Sequence, residues 1–233
     1  MTARQVLILM SLGTAALLAA CGGSSSTTSG QPATTAAAAT TAASATSTST
    51  TSTTAAKSTP GPEGIPLEKG PQLAPAGTTT QGATVDGVHC EAQEQVVYHI
   101  HAHLQVYVDG KPRALPAAIG MVGPVSEQTP YGPFYGAEQC YYFLHTHASD
   151  GIIHIESPSV RIYTLGNFFD EWNQPLSGAQ VAGDKGKVTA FVNGKPWTKD
   201  PRAIPLVPHA SIQLDVGSPV VPAREISWSG TNL

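Results

Sequence analysis

Histidine is the residue type whose spacing in this sequence most clearly indicates chemistry. Six of the eight histidines fall in two short stretches, and these six are His99, His101, His103, His145, His147 and His154. The first three alternate with apolar residues, so on a β-strand they share one face, opposite the apolar face. Because imidazole is a ligand for Zn, Cu, Ni and Fe, the sequence predicts a transition-metal site.

The second stretch contains a turn signal, Asp150-Gly151, between two apolar segments. If these two residues form the loop, His147 lies opposite His154 and His145 lies opposite Glu156. A four-residue loop instead pairs His145 with His154 and keeps the same face, whereas a three-residue loop breaks the arrangement. Both even-length loops predict one polar patch, formed by His145, His147, His154 and Glu156.

The distances between the histidines along a strand limit how many of them one ion can bind. Residues two apart on a strand are separated by about 6.8 Å, but His99 and His103 are about 13.6 Å apart, too far to share one ion. A single ion therefore takes at most two of the first three histidines, and both one ion and two adjacent ions remain open. His89 and His209 are isolated and are not predicted ligands. The predicted metal ligands are His99, His101, His103, His145, His147, His154 and Glu156.

The sulfur-containing residues narrow the choice of metal. Three cysteines are too few for a thiolate-rich zinc or iron–sulfur site. Met121 is the one methionine beyond the N-terminal segment, which argues against a Met-rich Cu(I) site and favours Cu(II) or Zn(II). Cys90 and Cys140 are predicted to form a disulfide, as an even pair in an exported protein commonly does. The alternative is that one of them is a thiolate ligand.

Several motifs resemble those of known proteins. The sequence His-Ile-His-Ala-His-Leu, followed by Leu-His-Thr-His and Gly-Ile-Ile-His-Ile-Glu-Ser, resembles an uncharacterised family of exported His-rich bacterial proteins over roughly residues 96–217. Leu-His-Thr-His also resembles the His-x-His motif of multicopper oxidases. The later motifs of those enzymes are absent from the sequence, so the resemblance implies only a cupredoxin-like copper site. Two strand histidines with a third from a neighbouring strand are similar to the three-His zinc site of carbonic anhydrases.

The elements that must position these residues are mainly strands. Alternation and turn signals predict an antiparallel β-sandwich or barrel-like domain, with hairpins at Asp109-Gly110 and Asn193-Gly194. One short helix is predicted near Asn167, which would cap it, and its aromatic residues Phe168, Phe169 and Trp172 are predicted to anchor the core. The alternative is an α+β fold with a β-grasp-like C-terminal part.

The N-terminal segment indicates export. Residues 1–20 read as a signal peptide, because the apolar run from Val6 to Leu18 is too short to span a bilayer of about 30 Å. Leu-Ala-Ala-Cys resembles the lipobox of bacterial lipoproteins, which implies lipidation (palmitate) at Cys21 and attachment to the cell membrane or outer membrane, outside the cytoplasm. Residues 21–84 are predicted to form a disordered Ser/Thr/Ala/Pro-rich tether, and residues 85–233 the folded domain.

Three functions fit these features. The first is a surface-anchored lipoprotein that binds a transition metal. In it, Glu156 either binds the metal directly or forms a hydrogen bond with one of the metal ligands. The second is a metalloenzyme with a three-His site of hydrolytic, lyase or oxidase type. The third is a metal-free structural or adhesion module. The net charge of −4 and the lack of a basic run indicate no nucleic-acid partner, and the sequence leaves protein partners open.

Overall fold

The computed structural model describes residues 59–77 and 80–233. The predicted signal peptide, Cys21 and the predicted tether as far as residue 58 lie outside the described residues. Within the described ranges, no helix has the length and apolar character needed to cross a membrane.

The domain is mainly β, as the sequence predicted. The described residues contain one α-helix, α1 (Leu165–Glu171), and a 3₁₀ helix (Pro201–Ala203). The strands are β1 (Cys90–Glu91), β2 (Tyr98–Val108), β3 (Lys111–Arg113), β4 (Met121–Thr129), β5 (Gly132–Tyr142), β6 (Leu144–His145), β7 (Ile152–Ser157), β8 (Tyr163–Thr164), β9 (Leu176–Ser177), β10 (Gln180–Val181), β11 (Asp184–Lys185), β12 (Val188–Val192), β13 (Lys195–Trp197), β14 (Pro205–Leu206) and β15 (Ala210–Val216).

The largest sheet has the strand order β13-β12-β15-β2-β7-β6, and β3 also pairs with β2. All its pairs are antiparallel except β15 with β2, which run parallel, with Ala210 opposite Ala102 and Val216 opposite Val108. The sheet is therefore mixed at its centre, where the sequence predicted an antiparallel arrangement. A parallel pair requires a long crossover, and the chain from β3 to β14, including α1, provides it.

Both predicted two-residue hairpins are confirmed. Val108 pairs with Lys111 around Asp109-Gly110, and Val192 pairs with Lys195 around Asn193-Gly194. In each loop both residues have positive φ, the conformation that matches the twist of the flanking strands.

The predicted short helix is present, but its cap differs from the prediction. Thr164 is the N-cap residue, and Asn167 lies at the third helical position, where its side chain accepts a hydrogen bond from the Thr164 backbone in a capping box. Phe168, Phe169 and Trp172 are fully buried, so the prediction that they anchor the core is confirmed.

A long hairpin formed by β4 and β5 was not predicted. It forms a separate sheet with the order β1-β5-β4. Cys90 in β1 and Cys140 in β5 are joined by a disulfide, as predicted. Neither cysteine can therefore serve as a thiolate ligand while this bond is intact.

The folded part begins before residue 85. We call residues 60–77 the N-terminal strap, and its residues Ile65 and Leu73 are buried. The Glu68 N–H donates to Ser149 O (2.8 Å), and Trp172 Nε1 donates to Pro75 O (2.8 Å). Residues 60–77 of the segment interpreted as tether are thus packed against the domain, and they contribute a side chain to the site described next.

Candidate metal centre

Three neighbouring strands bring the histidines together. On β2, β7 and β6, His101 lies opposite His154 and His154 lies opposite His145, so these three form one row across the sheet. In the next row His99 of β2 lies opposite Glu156 of β7. Because side chains two residues apart on a strand share a face, the two rows project to the same side.

The pairing of β6 with β7 has the register of the four-residue alternative, although residues 146–151 form the connection between the two strands. His145 rather than His147 pairs with His154, and His147 lies beyond the end of β6. Asp150 Oδ1 accepts from Ile152 N (3.1 Å), which fixes the start of β7. Gly151 has φ +82°, and a Cβ there would lie 2.6 Å from Leu104 O, so this position requires glycine.

His145 and His147 face each other through their Nε2 atoms, which are 3.1 Å apart. The opposite nitrogen of each ring is held by a backbone carbonyl: His145 Nδ1 donates to Tyr142 O (2.8 Å), and His147 Nδ1 donates to Tyr135 O (2.6 Å). A carbonyl oxygen accepts only, so both Nδ1 atoms carry the proton when the rings are neutral, and both Nε2 atoms are bare acceptors.

Two bare lone pairs at this distance repel each other, and a cation between them removes the repulsion. Two nitrogens bound to one tetrahedral ion, with bonds of about 2.0–2.1 Å, are about 3.3 Å apart, close to the separation found here. Carbonyls that fix the ring through its second nitrogen are the usual outer partners of metal-binding histidines.

His154 is held between two carboxylates. Its Nε2 donates to Glu63 Oε1 (2.6 Å), and its Nδ1 lies 3.3 Å from Glu156 Oε1. Burial opposes a charge on the ring, but the hydrogen bonds with Glu156 and Glu63 outweigh it and raise the pKa of His154 to about 9. If Nδ1 binds a metal, the Nε2–H···Glu63 bond completes a carboxylate–histidine–metal triad.

Glu156 joins the two rows of side chains. Its Oε1 lies 3.1 Å from His99 Nε2 and 3.8 Å from His145 Nε2. The side chain is buried, and its Oε2 has no hydrogen-bond partner among the described residues. A buried carboxylate oxygen left without a donor is costly, which a bound cation would relieve.

Two sets of side chains have ligand atoms within 4.8 Å of one another: His145, His147, His154 and Glu156, and His99, His101 and His154. We call their six members, His99, His101, His145, His147, His154 and Glu156, the histidine cluster. All except His99 are buried. Burial, with neighbouring histidines, lowers the pKa of His101 to about 3 and of His147 to about 4, and it lowers the pKa of His145 well below its ordinary range. These rings are therefore neutral and able to bind metal at pH 7.

His103, the remaining predicted ligand, belongs to neither set. It is buried beside Gly151, and burial lowers its pKa to about 4 although a hydrogen bond with the Asp150 backbone opposes this. His89 and His209 also lie elsewhere. His89 Nδ1 is 3.2 Å from Thr84 Oγ1, and the His209 ring stacks on Trp228.

Two carboxylates at the site were missed by sequence reasoning. Glu63 lies in the Pro/Gly-rich strap, where no local pattern marks it. Glu94 Oε1 is 3.4 Å from His147 Nε2, and burial together with the charge of Glu156 raises the pKa of Glu94. Glu94 lies only a few residues before the first histidine stretch, a signal that could have drawn attention to it.

No family model matches this chain, and no curated protein or solved structure is significantly similar to it. Function is therefore inferred from the site itself. Buried imidazoles and carboxylates are arranged so that they could hold a metal ion.

Proposed function

We propose that this protein is an exported lipoprotein, anchored through a lipid on Cys21, that binds Cu(II) or Zn(II) at the histidine cluster. The observation that carries the proposal is the His145–His147 pair, whose Nε2 atoms face each other at 3.1 Å while both Nδ1 atoms are held by carbonyls. His154 and Glu156 supply the remaining donors of a four-ligand site.

The donor set supports these two metals. Imidazole and carboxylate without thiolate or thioether suit Cu(II) and Zn(II), and a site of given donors binds Cu(II) more tightly than Zn(II). Cu(II) is therefore expected to displace Zn(II) when both are offered at equal free concentration.

Thermal unfolding of the full chain, made without a His-tag and kept in detergent, tests metal binding. An ion at 100 times its Kd stabilises the native state by about 2.7 kcal/mol, which raises the Tm of a domain of this size by about 5–10 °C. His147→Ala should clearly reduce this shift, whereas the control His209→Ala should keep it. Equal metal-induced shifts in wild type and His147→Ala would refute the proposal.

Anchoring is tested separately by cell fractionation. Cys21→Ala should move the protein from the membrane fraction to a soluble extracytoplasmic fraction, because the lipid is the proposed attachment. Retention of the variant in the membrane fraction would contradict the proposed anchor and leave metal binding untouched.

A second candidate function, a metalloenzyme, is favoured by a cavity beside the cluster. The cavity has a volume of about 300 Å³, and its lining includes Glu94, Phe134, Tyr141 and His147. A metal-bound water facing this cavity would have Glu94 as a proton acceptor. Hydrolysis of p-nitrophenyl acetate by the zinc-loaded protein tests this candidate, which predicts that Glu94→Gln lowers kcat without loss of zinc. Absence of any metal-dependent turnover would count against it.

A further inference from the structure

We infer that the histidine cluster holds two transition-metal ions at once, joined by the Glu156 carboxylate. One ion lies between His145 and His147. The other lies between His99 and His101. The inference rests on the proposed metal-binding function and adds to it the number of ions and the bridging group.

The first step is that the cluster contains two similar imidazole pairs. His99 Nε2 and His101 Nε2 are 3.0 Å apart, nearly the separation of the His145 and His147 Nε2 atoms. In both pairs the rings meet edge to face. Each pair thus presents two nitrogens at the spacing that one ion requires.

The second step is that the His154 ring contacts both pairs. Its centroid is 4.5 Å from that of His101 and 4.5 Å from that of His147. His154 also belongs to both sets of potential ligands. The two pairs are therefore adjacent but distinct, because His99 and His101 fall in a different set of potential ligands from His145 and His147.

The third step concerns the group that both ions share. Glu156 Oε1 lies within 3.1 Å of His99 Nε2 and 3.8 Å of His145 Nε2, one histidine from each pair. Its Oε2 is buried without a hydrogen-bond partner among the described residues. A carboxylate that binds both ions through Oε1 accounts for the position of this oxygen beside both pairs, and a contact of Oε2 with one of the ions would satisfy that buried oxygen. Two-metal sites commonly have separations of about 3.5–4 Å.

Charge favours a second ion. Three carboxylates, Glu63, Glu94 and Glu156, contact the histidines of the cluster. These carboxylates would offset much of the charge of two divalent ions at this largely buried site.

The number of bound ions tests the inference. The full chain without a His-tag is loaded with Zn(II), passed over a chelating resin and analysed for zinc per chain. We expect two ions in wild type, two in the control His209→Ala, and one each in His99→Ala and His147→Ala. His99 is partly exposed, so its substitution should not disturb folding. If wild type binds one zinc ion per chain, the inferred second ion is wrong but the proposed function stands. If wild type binds none, the proposed function itself is refuted.

Electron paramagnetic resonance tests the shared carboxylate. The first equivalent of Cu(II) should increase the integrated signal, and the second should decrease it, since two Cu(II) ions about 4 Å apart couple magnetically. Glu156→Gln should abolish this decrease. Two bound Cu(II) ions whose signals simply add would overturn the bridged arrangement.

Discussion

Glu63 and His154 are joined by a 2.6 Å hydrogen bond although 91 residues separate them in the chain. Through this contact the N-terminal strap, which in the sequence comes first among the described residues, reaches the histidine cluster. Both side chains are buried, so neither charge is screened by solvent. Orientation of His154 thus depends on the strap as well as on the sheet.

Glu63→Gln is expected to weaken metal binding by about 10–100-fold, the usual effect of removing the partner of a metal-bound histidine. The amide keeps the size of the side chain but not the charge that makes the imidazole more basic. Competition titration against a chromophoric chelator measures the change in Kd. The control is Glu91→Gln, which replaces an exposed carboxylate of β1 and should leave Kd unchanged. An unchanged Kd in Glu63→Gln would show that the strap has no part in the site.

Metal binding is expected to release about one proton at pH 7.5. The raised pKa of His154, about 9, means that its ring is protonated in the metal-free protein, and Nδ1 must lose that proton to bind an ion. His145 and His147 release none, because their lowered pKa values leave them neutral. Calorimetric titration with one equivalent of Zn(II) in buffers of different ionisation enthalpy measures the release.

Competition between a proton and the metal for His154 also sets the pH dependence of metal affinity. Below the pKa of His154 a proton competes with the metal, so affinity should rise about tenfold per pH unit between pH 7 and 8.5. A histidine with an unperturbed pKa of about 6.5 would instead give a nearly constant metal affinity over this range. Affinity that is constant from pH 7 to 8.5 would show that metal binding removes no proton from His154 and would contradict this prediction.

His103 is expected to make the metal-free protein sensitive to acid. Its folded-state pKa of about 4 lies below the unfolded value of about 6.5, chiefly because the ring is buried. As the pH falls below 6.5 the unfolded chain binds this proton first, so the free energy of unfolding decreases toward pH 4. At pH 5 this one group should lower it by about 2 kcal/mol relative to pH 7.5.

The acid sensitivity assigned to His103 is checked by urea unfolding of wild type and His103→Gln, with a chelator present, which measures the free energy of unfolding at each pH. The variant has no titrating ring at this position, so it should lose less stability than wild type between pH 7.5 and pH 5. A constant offset caused by the lost hydrogen bond does not affect the comparison. Parallel loss of stability in the two proteins would assign the acid sensitivity to other groups.

Local patterns were sufficient to predict the faces of the strands at the site. The alternation at His99 and His101 and the turn signal at Asp150-Gly151 place five side chains on one side of the sheet, and the structure uses one of the two even-length registers. These features have a period or a turn preference that is legible in a few residues.

Contacts between residues far apart in the chain could not be predicted from such local patterns. Glu63 contacts His154 through tertiary packing of a segment with little periodicity, and the parallel pairing of β15 with β2 depends on a crossover of many residues. His103 has the same spacing as the two histidines before it, yet the structure directs it toward the Asp150 backbone. Sequence spacing defines a face, whereas the segments that cover that face decide which side chains meet.

Gly151→Ala is expected to lower the free energy of unfolding by at least about 2 kcal/mol and to weaken metal binding. The backbone at φ +82° is strained for any residue with a Cβ, and the added Cβ would lie 2.6 Å from Leu104 O and 2.7 Å from His103 Nε2. Because the first of these atoms is backbone, the clash can be relieved only by moving the loop away from β2. Such a shift would displace His147 from His145, since His147 lies in the β6–β7 connection whereas His145 is held in strand β6.

The matched control is Gly178→Ala. At Gly178 none of the described residues lies within 4 Å of an added Cβ, so this substitution should change stability by less than about 0.5 kcal/mol and leave metal affinity intact. Urea unfolding and chelator competition on both variants compare the two positions directly. If Gly151→Ala is as stable as Gly178→Ala, or if it loses stability but binds metal with the wild-type Kd, then the tight loop at Gly151 does not position His147 for metal binding.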